Sequence, residues 1–368
     1  MSNSKKNIDK TLLFLILTLS VFGLMMISSA GVFYGATRFN DPNYFLKHQF
    51  LFGFIPGIFV LYIFSKIDYH FWKKISVPMF IISLVCLVLV FIPGIGSNAY
   101  GASRWINLGP VSFQPSEMVK LFIIIYLAAW LEGREKEKIK DVYEGVLPFI
   151  GILAIAGFLI IKQPDTGTLG AIILIAMSMF FVSGASISHI FIMFVMGIFG
   201  LFGLIMIAPY RMNRFLVFLN PEHDPQGVGY QINQALLAIG SGGILGLGLG
   251  HSRQKFNYLP EPVGDSIFAI IGEELGLVGA VAIILLFIFF ALRVVRIAKS
   301  APDNFGKMIA IGLVSWVVFQ AFINIAAITA IMPLTGIPLP FISYGGTSFI
   351  FLMAGMGILL NISKQSKI

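Results

Sequence analysis

Asp265 stands where a polar segment of the chain meets an apolar one, and a carboxylate in that position could act as a general base. It follows the polar stretch from Leu259 to Gly264, and the run from Ala269 to Leu292 is almost all apolar, apart from Glu273 and Glu274. A carboxylate at the mouth of a membrane helix is costly to bury, so such groups usually mark functional sites. Asp265 is therefore the first candidate for a catalytic residue.

Basic residues near Asp265 in the sequence, or on another polar segment, could bind an anionic substrate. Guanidinium groups offer paired donors and a fixed charge, which suit phosphate and pyrophosphate. The basic candidates for substrate binding are Arg104, Arg211, Arg214, Arg253 and Lys255. The alternative is ordinary ion pairing with nearby acidic residues, which are Glu222, Asp224 and Glu261. Both interpretations stay open at the level of the sequence.

Two further groups of charged residues lie within apolar stretches. Glu117 and Lys120 are three residues apart, so on a helix they can form an ion pair on one face. Glu273 and Glu274 lie about 12–13 Å deeper along a helix than Asp265, and they cannot both share its face. We expect a structural ion pair for the first two residues and buried hydrogen bonds between helices for the other two. Direct participation in chemistry is the alternative in both cases.

The last polar segment, Met332 to Ser348, contains three prolines and adjacent glycines, which break a helix at its outer end. Its polar side chains, among them Ser343 and Tyr344, then enter the membrane. These two residues could line a site for a sugar or a lipid headgroup. The alternative is that they cap the helix that follows.

The composition predicts an all-α integral membrane protein. The 368 residues are 57% hydrophobic and 11% charged, whereas soluble domains carry about 25% charged residues. The mean hydropathy is +0.90. The apolar runs approach the length of a membrane-spanning helix, whereas a transmembrane strand would show only about ten alternating residues.

Ten transmembrane helices are predicted from apolar runs long enough to cross about 30 Å of hydrocarbon. Their approximate ranges are 11–33, 46–66, 74–93, 114–132, 145–161, 167–184, 188–208, 265–293, 306–331 and 344–363. The basic start of the chain also resembles a signal peptide, but the first apolar run is slightly too long for one, which favours a retained helix. We expect a single membrane domain over residues 1–368.

The basic residues predict the orientation of the helices and the side on which Asp265 lies. Most of the 25 Lys and Arg fall in segments on the side of the N-terminus, and the positive-inside rule places those segments in the cytoplasm. Both termini are then cytoplasmic, and Asp265 faces outward. Two outer segments, Pro93 to Ser116 and Pro209 to Gly264, are too long for simple connectors. In the second, between helices 7 and 8, the Gly-rich stretch from Ile232 to Leu249 predicts re-entrant or interfacial helices.

Several common types of site are not supported by the sequence. The five scattered histidines form no HExxH or Cys/His pattern, and the single cysteine allows no disulfide framework. The glycine-rich stretches complete neither GxGxxG nor a P-loop. In a membrane protein, the net charge of +8 reports orientation first and does not indicate nucleic-acid binding.

Six short motifs resemble those of the SEDS family, in the same order along essentially the whole chain. They are Gln114-Pro115-Ser116-Glu117, Gln163-Pro164-Asp165, Gly229-Tyr230-Gln231, Leu259-Pro260-Glu261, Glu273-Glu274-Leu275-Gly276 and Pro338-Leu339-Pro340-Phe341-Ile342-Ser343-Tyr344-Gly345-Gly346. The SEDS family comprises the peptidoglycan glycosyltransferases of cell shape, division and sporulation. Within it, the stretches Gly248 to Lys255 and Phe268 to Glu274 are more similar to the cell-division members than to the elongation members.

The family's essential aspartate follows its Leu-Pro-Glu motif, and Asp265 occupies that position in this chain. The family commonly has His-Thr before this aspartate and Phe after it, whereas this chain has Val263-Gly264 and Ser266. The resemblance implies that Asp265 is a general base in the polymerisation of lipid II into β-1,4 glycan strands. Undecaprenyl pyrophosphate would be the leaving group. The reaction would take place at the outer surface of the bacterial cytoplasmic membrane, at the division septum.

The resemblance also implies a set of binding residues and partners. The basic residues named above, together with Glu261, Ser343 and Tyr344, would bind the substrate. A divalent cation such as Mg or Mn could contribute, and no organic cofactor is expected. The expected partners are a class B penicillin-binding protein, other membrane proteins of the division machinery, and the lipid bilayer.

Two functions of other classes stay open at this stage. A transporter that flips lipid II would need polar groups along the inner half of its path, whereas the marked residues concentrate at the outer face. A scaffold that only recruits a partner enzyme would not need Asp265. An effect of Asp265→Asn on polymer formation separates both from an enzyme.

Overall fold

The computed structural model describes residues 7–99, 102–107, 109 and 112–366, which form a bundle of apolar helices. In chain order, the longer helices of this part are α1 (Lys10–Ala30), α2 (Tyr44–Lys66), α3 (Ser76–Leu89), α4 (Pro115–Glu132), α5 (Val142–Lys162), α6 (Thr166–Val182), α7 (Ile187–Ile207), α8 (Pro209–Leu219), α9 (Val228–Gly242), α10 (Ile267–Lys299), α11 (Asn304–Ile328) and α12 (Gly346–Gln365). Shorter helices cover Val32–Phe39, His70–Lys74, Lys136–Lys140 and Pro221–His223. A π-helical turn at Phe50–Phe54 lies inside α2, and another at Val142–Val146 begins α5.

The apolar runs of the sequence form helices, as predicted. Each of the ten predicted ranges overlaps one of the helices above. Within the described residues, seven helices are long and apolar enough to cross a membrane, namely α1, α2, α5, α7, α10, α11 and α12. The expectation of a helical membrane protein is confirmed.

The centre of the bundle lies around α11 and α12, whose residues are mostly buried. Small residues let the helices approach closely: a Cβ on Gly312 would lie 2.5 Å from Ile124, and one on Gly355 would lie 2.7 Å from Leu313. Helix α7, by contrast, has no buried residue. The most rigidly packed helices are therefore those that frame the segment from Met332 to Gly345.

A small antiparallel sheet in the first outer segment was not predicted. Its strands are β1 (Gly96–Ala99), β2 (Ala102–Asn107) and β3 (Ser112–Phe113), in the order β1-β2-β3. Short strands in a Gly- and Ser-rich segment give no strong apolar alternation, so the sequence pattern does not reveal them. The sheet places Arg104, on β2, beside the turn between α5 and α6.

The second outer segment contains helix α8, which was not predicted, and one apolar helix where a pair was expected. Helix α9 ends at Gly242, and the chain then turns through Gly243, Gly246 and Gly248, which all have positive φ. Residues with a side chain rarely adopt this backbone conformation, so the glycines prevent a second helix. The prediction of two helices between Ile232 and Leu249 is wrong in this respect.

This glycine turn fills a break in α10. At Gly276 the backbone leaves helical geometry, with φ 66°. Amides after the break donate to the turn, Leu277 to the carbonyl of Gly243 (2.9 Å) and Val278 to that of Ile244 (3.1 Å). The turn therefore replaces the hydrogen-bond partners that the helix lacks, as irregular backbone at membrane depth requires.

Candidate active site

Asp265 lies in a tight turn that ends directly before α10. Amides of Gly264 and Ser266 donate to the carbonyl of Glu261, at 3.0 and 3.3 Å. Glu261 has φ 48°, so the turn uses a backbone conformation that is uncommon for a residue with a side chain. The Asp265 side chain is partly buried. The turn thus brings one carboxylate to the mouth of a spanning helix, as the sequence predicts.

Ser343 and Tyr344 hold this turn in place. The Ser343 hydroxyl donates to the carbonyl of Gly264 (2.7 Å) and accepts from the amide of Leu339 (2.8 Å). The amide of Tyr344 donates to the carbonyl of Val263 (2.8 Å). The residues that depart from the family pattern, Val263 and Gly264, therefore contribute through their backbone carbonyls.

The structure shows neither the substrate-binding role nor the helix-capping role predicted for the hydroxyls of Ser343 and Tyr344. Ser343 is buried and both of its contacts are internal, while the Tyr344 hydroxyl pairs with His48 Nδ1 at 2.8 Å. No side chain caps the start of α12. The alternative that they cap α12 is not observed among the described residues, and both residues hydrogen-bond to the turn that carries Asp265. Substrate binding by Ser343 and Tyr344 stays a prediction.

The carboxylate of Asp265 is contacted by an amide side chain from α9. Gln231 Nε2 donates to Oδ1 at 3.3 Å and to Ser266 Oγ at 3.1 Å. On another side lies Gly336, where an added Cβ would be 3.8 Å from Oδ2. Gly336 therefore packs directly beside the carboxylate.

The environment of Asp265 favours its protonated form more than water does. Burial, followed by the negative charge of Glu261, raises the pKa of Asp265 from 3.8 to about 6, although Arg214 and the hydrogen bond from Gln231 oppose the rise. A carboxylate with a pKa near the working pH is suited to general-base catalysis. Perturbed groups of this kind concentrate at functional sites.

Arg214 and Arg104 are the basic residues that the structure brings to this site. Arg214 Nη1 donates to the carbonyl of Leu334 at 3.2 Å, and burial lowers the pKa of Arg214, which the charge of Asp265 opposes and that of Arg104 reinforces. Arg104 donates to the carbonyls of Gln163 (3.0 Å) and Pro164. Within the described residues, neither guanidinium forms a salt bridge with a carboxylate. The alternative of ion pairing is therefore not observed for this pair.

The other predicted cations are placed differently. Arg211 is buried and donates to Tyr210 Oη (2.7 Å) and the carbonyl of Leu204 (3.1 Å). Arg253 is exposed, and its amide donates to Glu273 at 2.8 Å. Within the part of the chain that the structure describes, neither side chain contacts Asp265, so their proposed substrate contacts rest on sequence proximity alone.

Lys255 is the clearest correction among the predicted binding residues. Its ammonium is buried and donates to the carbonyl of Gly250 (2.7 Å), Ser29 Oγ (3.0 Å) and Glu274 (2.9 Å). An ammonium has three donors, and all three are used inside the protein. Lys255 therefore has no donor left for a substrate phosphate.

The remaining buried charges have the structural roles that the sequence favours. Lys120 lies 2.8 Å from Glu117 and donates to Gln320 Oε1 at 2.7 Å. Glu273 accepts from the Ser252 hydroxyl and Glu274 from the Ser29 hydroxyl. Each group thus links separate segments of the chain.

Sequence reasoning gave no role to Gln231 or Asn324, although both contact the Asp265 segment. Gln231 belongs to one of the motifs behind the family resemblance, but the pattern did not show what it contacts. Asn324 Nδ2 donates to the carbonyls of Asp265 and Ile337, at 2.8 Å each. A usable signal was present: Gln320 and Asn324 are amides four residues apart in an apolar helix, and so share one face.

The carboxylates of Glu261 and Asp265 could bind a cation together with the phosphates of a substrate. Among the described residues, no three His, Cys, Asp or Glu side chains form a group able to hold a metal ion. Glu261 and Asp265 are close enough for one charge to affect the other. Mg²⁺ commonly uses one or two carboxylates together with substrate phosphates. The pair fits that shared mode of binding and not a site made by protein alone.

Comparisons with known proteins agree on one family. The family described as Cell cycle protein, which groups FtsW, RodA and SpoVE, matches residues 10–368. The chain belongs to this family, in agreement with the SEDS motifs. It is 42% identical over 367 residues to the stage V sporulation protein E of Bacillus subtilis (strain 168), covering 100% of both chains.

A second relative, named for an enzymatic activity, has a similar level of identity. The chain is 39% identical over 359 residues to the probable peptidoglycan glycosyltransferase FtsW of Geobacter sp. (strain M18), covering 98% of this chain and 97% of that protein.

Two solved structures have the same fold. A chain of a peptidoglycan synthase complex that coordinates polymerization and crosslinking superposes with a TM-score of 0.78 and 26% identity, covering 97% of each chain. Thermus thermophilus rod shape determining protein RodA gives a TM-score of 0.72 and 26% identity, covering 98% of each chain. The fold therefore extends over nearly the whole chain.

Proposed function

We propose that this protein is a peptidoglycan glycosyltransferase that polymerises lipid II into β-1,4 glycan strands during septal wall synthesis. The observation that carries the proposal is a partly buried carboxylate, Asp265, at the end of a spanning helix and within electrostatic reach of Arg214, which in turn senses Arg104. Among the described residues, neither arginine forms a salt bridge. The names of the FtsW relatives support the reaction class. Ten spans with both termini cytoplasmic would place Asp265 at the outer face.

Asp265 acts as the general base in this mechanism. Its carboxylate takes the proton from the C4 hydroxyl of the acceptor GlcNAc. The C4 oxygen bonds to C1 of the donor MurNAc as the bond from C1 to the phosphate oxygen breaks. The α-linked lipid is inverted to a β-1,4 linkage, undecaprenyl pyrophosphate leaves with the bonding electrons, and Asp265 returns its proton to water.

The leaving group explains why one carboxylate is sufficient. Glycosidases use a second carboxylic acid to protonate a poor leaving group, whereas pyrophosphate leaves as a stabilised anion. Arg214 and Arg104 would stabilise the charge that develops on it. Glu261 and Asp265 would hold a divalent cation, which would supply further neutralisation of the phosphates when bound.

The pH dependence of polymerisation tests the general base. Because Asp265 must be ionised and its pKa is about 6, the rate should rise with pH through this value and level off above it. Glu261→Gln removes a charge that raises this pKa, so the acid limb should move to lower pH. Gln231→Leu removes a hydrogen bond that lowers the pKa, so the limb should move to higher pH. Identical profiles for all three proteins would contradict the assignment.

The reaction itself is tested with purified protein and fluorescent lipid II. We expect gel-resolved glycan strands and release of undecaprenyl pyrophosphate, measured alone and with a class B penicillin-binding protein, the crosslinking partner that we propose. An assay in sealed vesicles with lipid II in one leaflet distinguishes polymerisation from the rival function, which is flipping of lipid II. Translocation without polymer would favour a flippase and overturn the proposal.

A further inference from the structure

One buried amide on α11 links the two segments that form the site. Asn324 is 1% exposed, and both hydrogens of its amide are used, one by the carbonyl of Asp265 and one by that of Ile337, at 2.8 Å each. Neither segment belongs to a helix or strand. This side chain therefore ties the Asp265 turn to the segment at Ile337, in addition to the hydrogen bonds that Ser343 and Tyr344 make to Gly264 and Val263.

The segment that contains Ile337 also contacts Arg214, a basic residue of the site. Leu334, three residues before Ile337, accepts a hydrogen bond from Arg214 at 3.2 Å through its carbonyl. Gly336, directly before Ile337, lies beside the Asp265 carboxylate. A continuous path of contacts therefore runs from Asp265 through Asn324 to the segment that accepts a hydrogen bond from Arg214.

The helix that carries Asn324 is itself well anchored. One turn earlier, Gln320 Nε2 donates to the carbonyl of Pro338 at 2.9 Å, and Gln320 Oε1 accepts from Lys120 and from Trp316 Nε1 at 2.7 Å each. Two amides one turn apart on α11 thus bind neighbouring carbonyls, those of Ile337 and Pro338. Groups whose rotamers are fixed in this way give a site its geometry.

We propose that Asn324 is a positioning residue that sets the geometry of the Asp265 carboxylate relative to Arg214. The inference rests on the proposed function, because it concerns the general base of that reaction. Asn324 touches only backbone at the site, so it acts through Asp265 and not on the substrate. A displacement of about 1 Å in a reacting group can cost on the order of 10²-fold in rate, which is the kind of loss that a missing tie would cause.

The test compares Asn324→Leu with a matched variant, Asn361→Leu. Asn361 is also a buried amide that ties two backbone groups: it donates to the carbonyl of Ser65 and accepts from the amide of Tyr69, at 3.0 Å each. It lies on α12, away from the Asp265 turn. Both variants should lose thermal stability, because both leave buried backbone groups without partners.

Only the Asn324 variant should alter catalysis. We expect kcat for lipid II polymerisation to fall roughly 10- to 100-fold, with a much smaller change in KM. Asn361→Leu should keep the wild-type kcat and KM. Equal kcat in the two variants would overturn the inference.

A second variant, Asn324→Ser, keeps the inference testable if Asn324→Leu does not fold. Asn324→Ser keeps one donor in a smaller side chain, so an intermediate kcat supports the tie, and a wild-type kcat contradicts it. The inference and the proposed function fail differently. Absence of polymer from the wild-type protein removes the function, whereas wild-type polymerisation that is lost in Asp265→Asn but unchanged in Asn324→Leu and Asn324→Ser removes only the inference.

Discussion

Asp265→Asn is expected to lower the rate of lipid II polymerisation by about 10²–10⁴-fold, the usual contribution of a general base. The amide keeps the shape of the side chain but cannot take the proton of the acceptor hydroxyl. The backbone carbonyl that Asn324 binds is unchanged, so the turn should keep its position. Polymer yield on gels, with lipid II binding measured in parallel, checks this result, since binding should be affected far less than turnover.

The same substitution should not weaken the fold at neutral pH. The pKa of Asp265 is raised from 3.8 to about 6 in the folded protein, so the folded state prefers the protonated form. The stability that this preference provides is complete below about pH 4 and is lost as pH rises to about 6, an effect of at most ~3 kcal/mol. Asp265→Asn avoids this loss, so its thermal midpoint at pH 7 should equal or exceed that of wild type.

Asp41→Asn provides the control for Asp265→Asn. Asp41 is also outside the spanning helices and pairs with Lys47 at 2.7 Å on the exposed surface. Surface ion pairs contribute at most about 1 kcal/mol, so both polymerisation and stability should stay near wild type. Normal polymerisation by well-folded Asp265→Asn protein would remove the general-base assignment.

The helices and Asp265 could be predicted because both depend on local sequence. An apolar run of spanning length forms a helix in lipid whatever its neighbours are, since its backbone must be satisfied internally. A carboxylate at the start of such a run is conspicuous for the same reason. The break at Gly276 was not visible, because it depends on a glycine turn about thirty residues earlier that supplies the missing hydrogen bonds.

The roles of the polar side chains around Asp265 depend on contacts that no local pattern shows. Ser343 binds the carbonyl of Gly264, 79 residues earlier, and Asn324 binds that of Asp265, 59 residues earlier. Sequence could mark Ser343 as polar at a helix mouth, but its partner decides whether it faces a sugar or the backbone. Arg104 likewise affects Arg214 because β2 and α8 both reach the turn at Pro164, whose carbonyl accepts from Arg104 and from Tyr210.

Lys255 shows the limit of sequence proximity most clearly. Arg253 and Lys255 are two residues apart and were both expected to bind substrate, yet the first is exposed and the second is buried. The difference comes from Glu274, whose carboxylate on α10 has no exposed surface and needs a cation. A buried carboxylate without a partner is costly, and Lys255 supplies that partner from the preceding loop.

Lys255→Met should therefore destabilise the protein strongly. Removing one partner of a buried ion pair leaves the other charge uncompensated, which costs about 3–5 kcal/mol. Thermal unfolding in detergent should show a large drop for Lys255→Met, whereas the exposed neighbour in Arg253→Met should change stability by about 0.5 kcal/mol or less. The comparison isolates burial, because both variants remove a cation from the same loop.

The double variant Lys255→Met/Glu274→Gln decides between a structural and a substrate-binding Lys255. Neutralising Glu274 removes the uncompensated charge, so the double variant should recover much of the stability lost in Lys255→Met. The two changes in stability would then not be additive, as is usual for residues in contact. Ser29 and Ser252 can still hydrogen-bond the new amide oxygen. If Lys255 instead served the substrate, Lys255→Met would be stable but weak in lipid II binding, and the second substitution would restore nothing. Recovery of both stability and polymerisation is the result that the buried pair predicts.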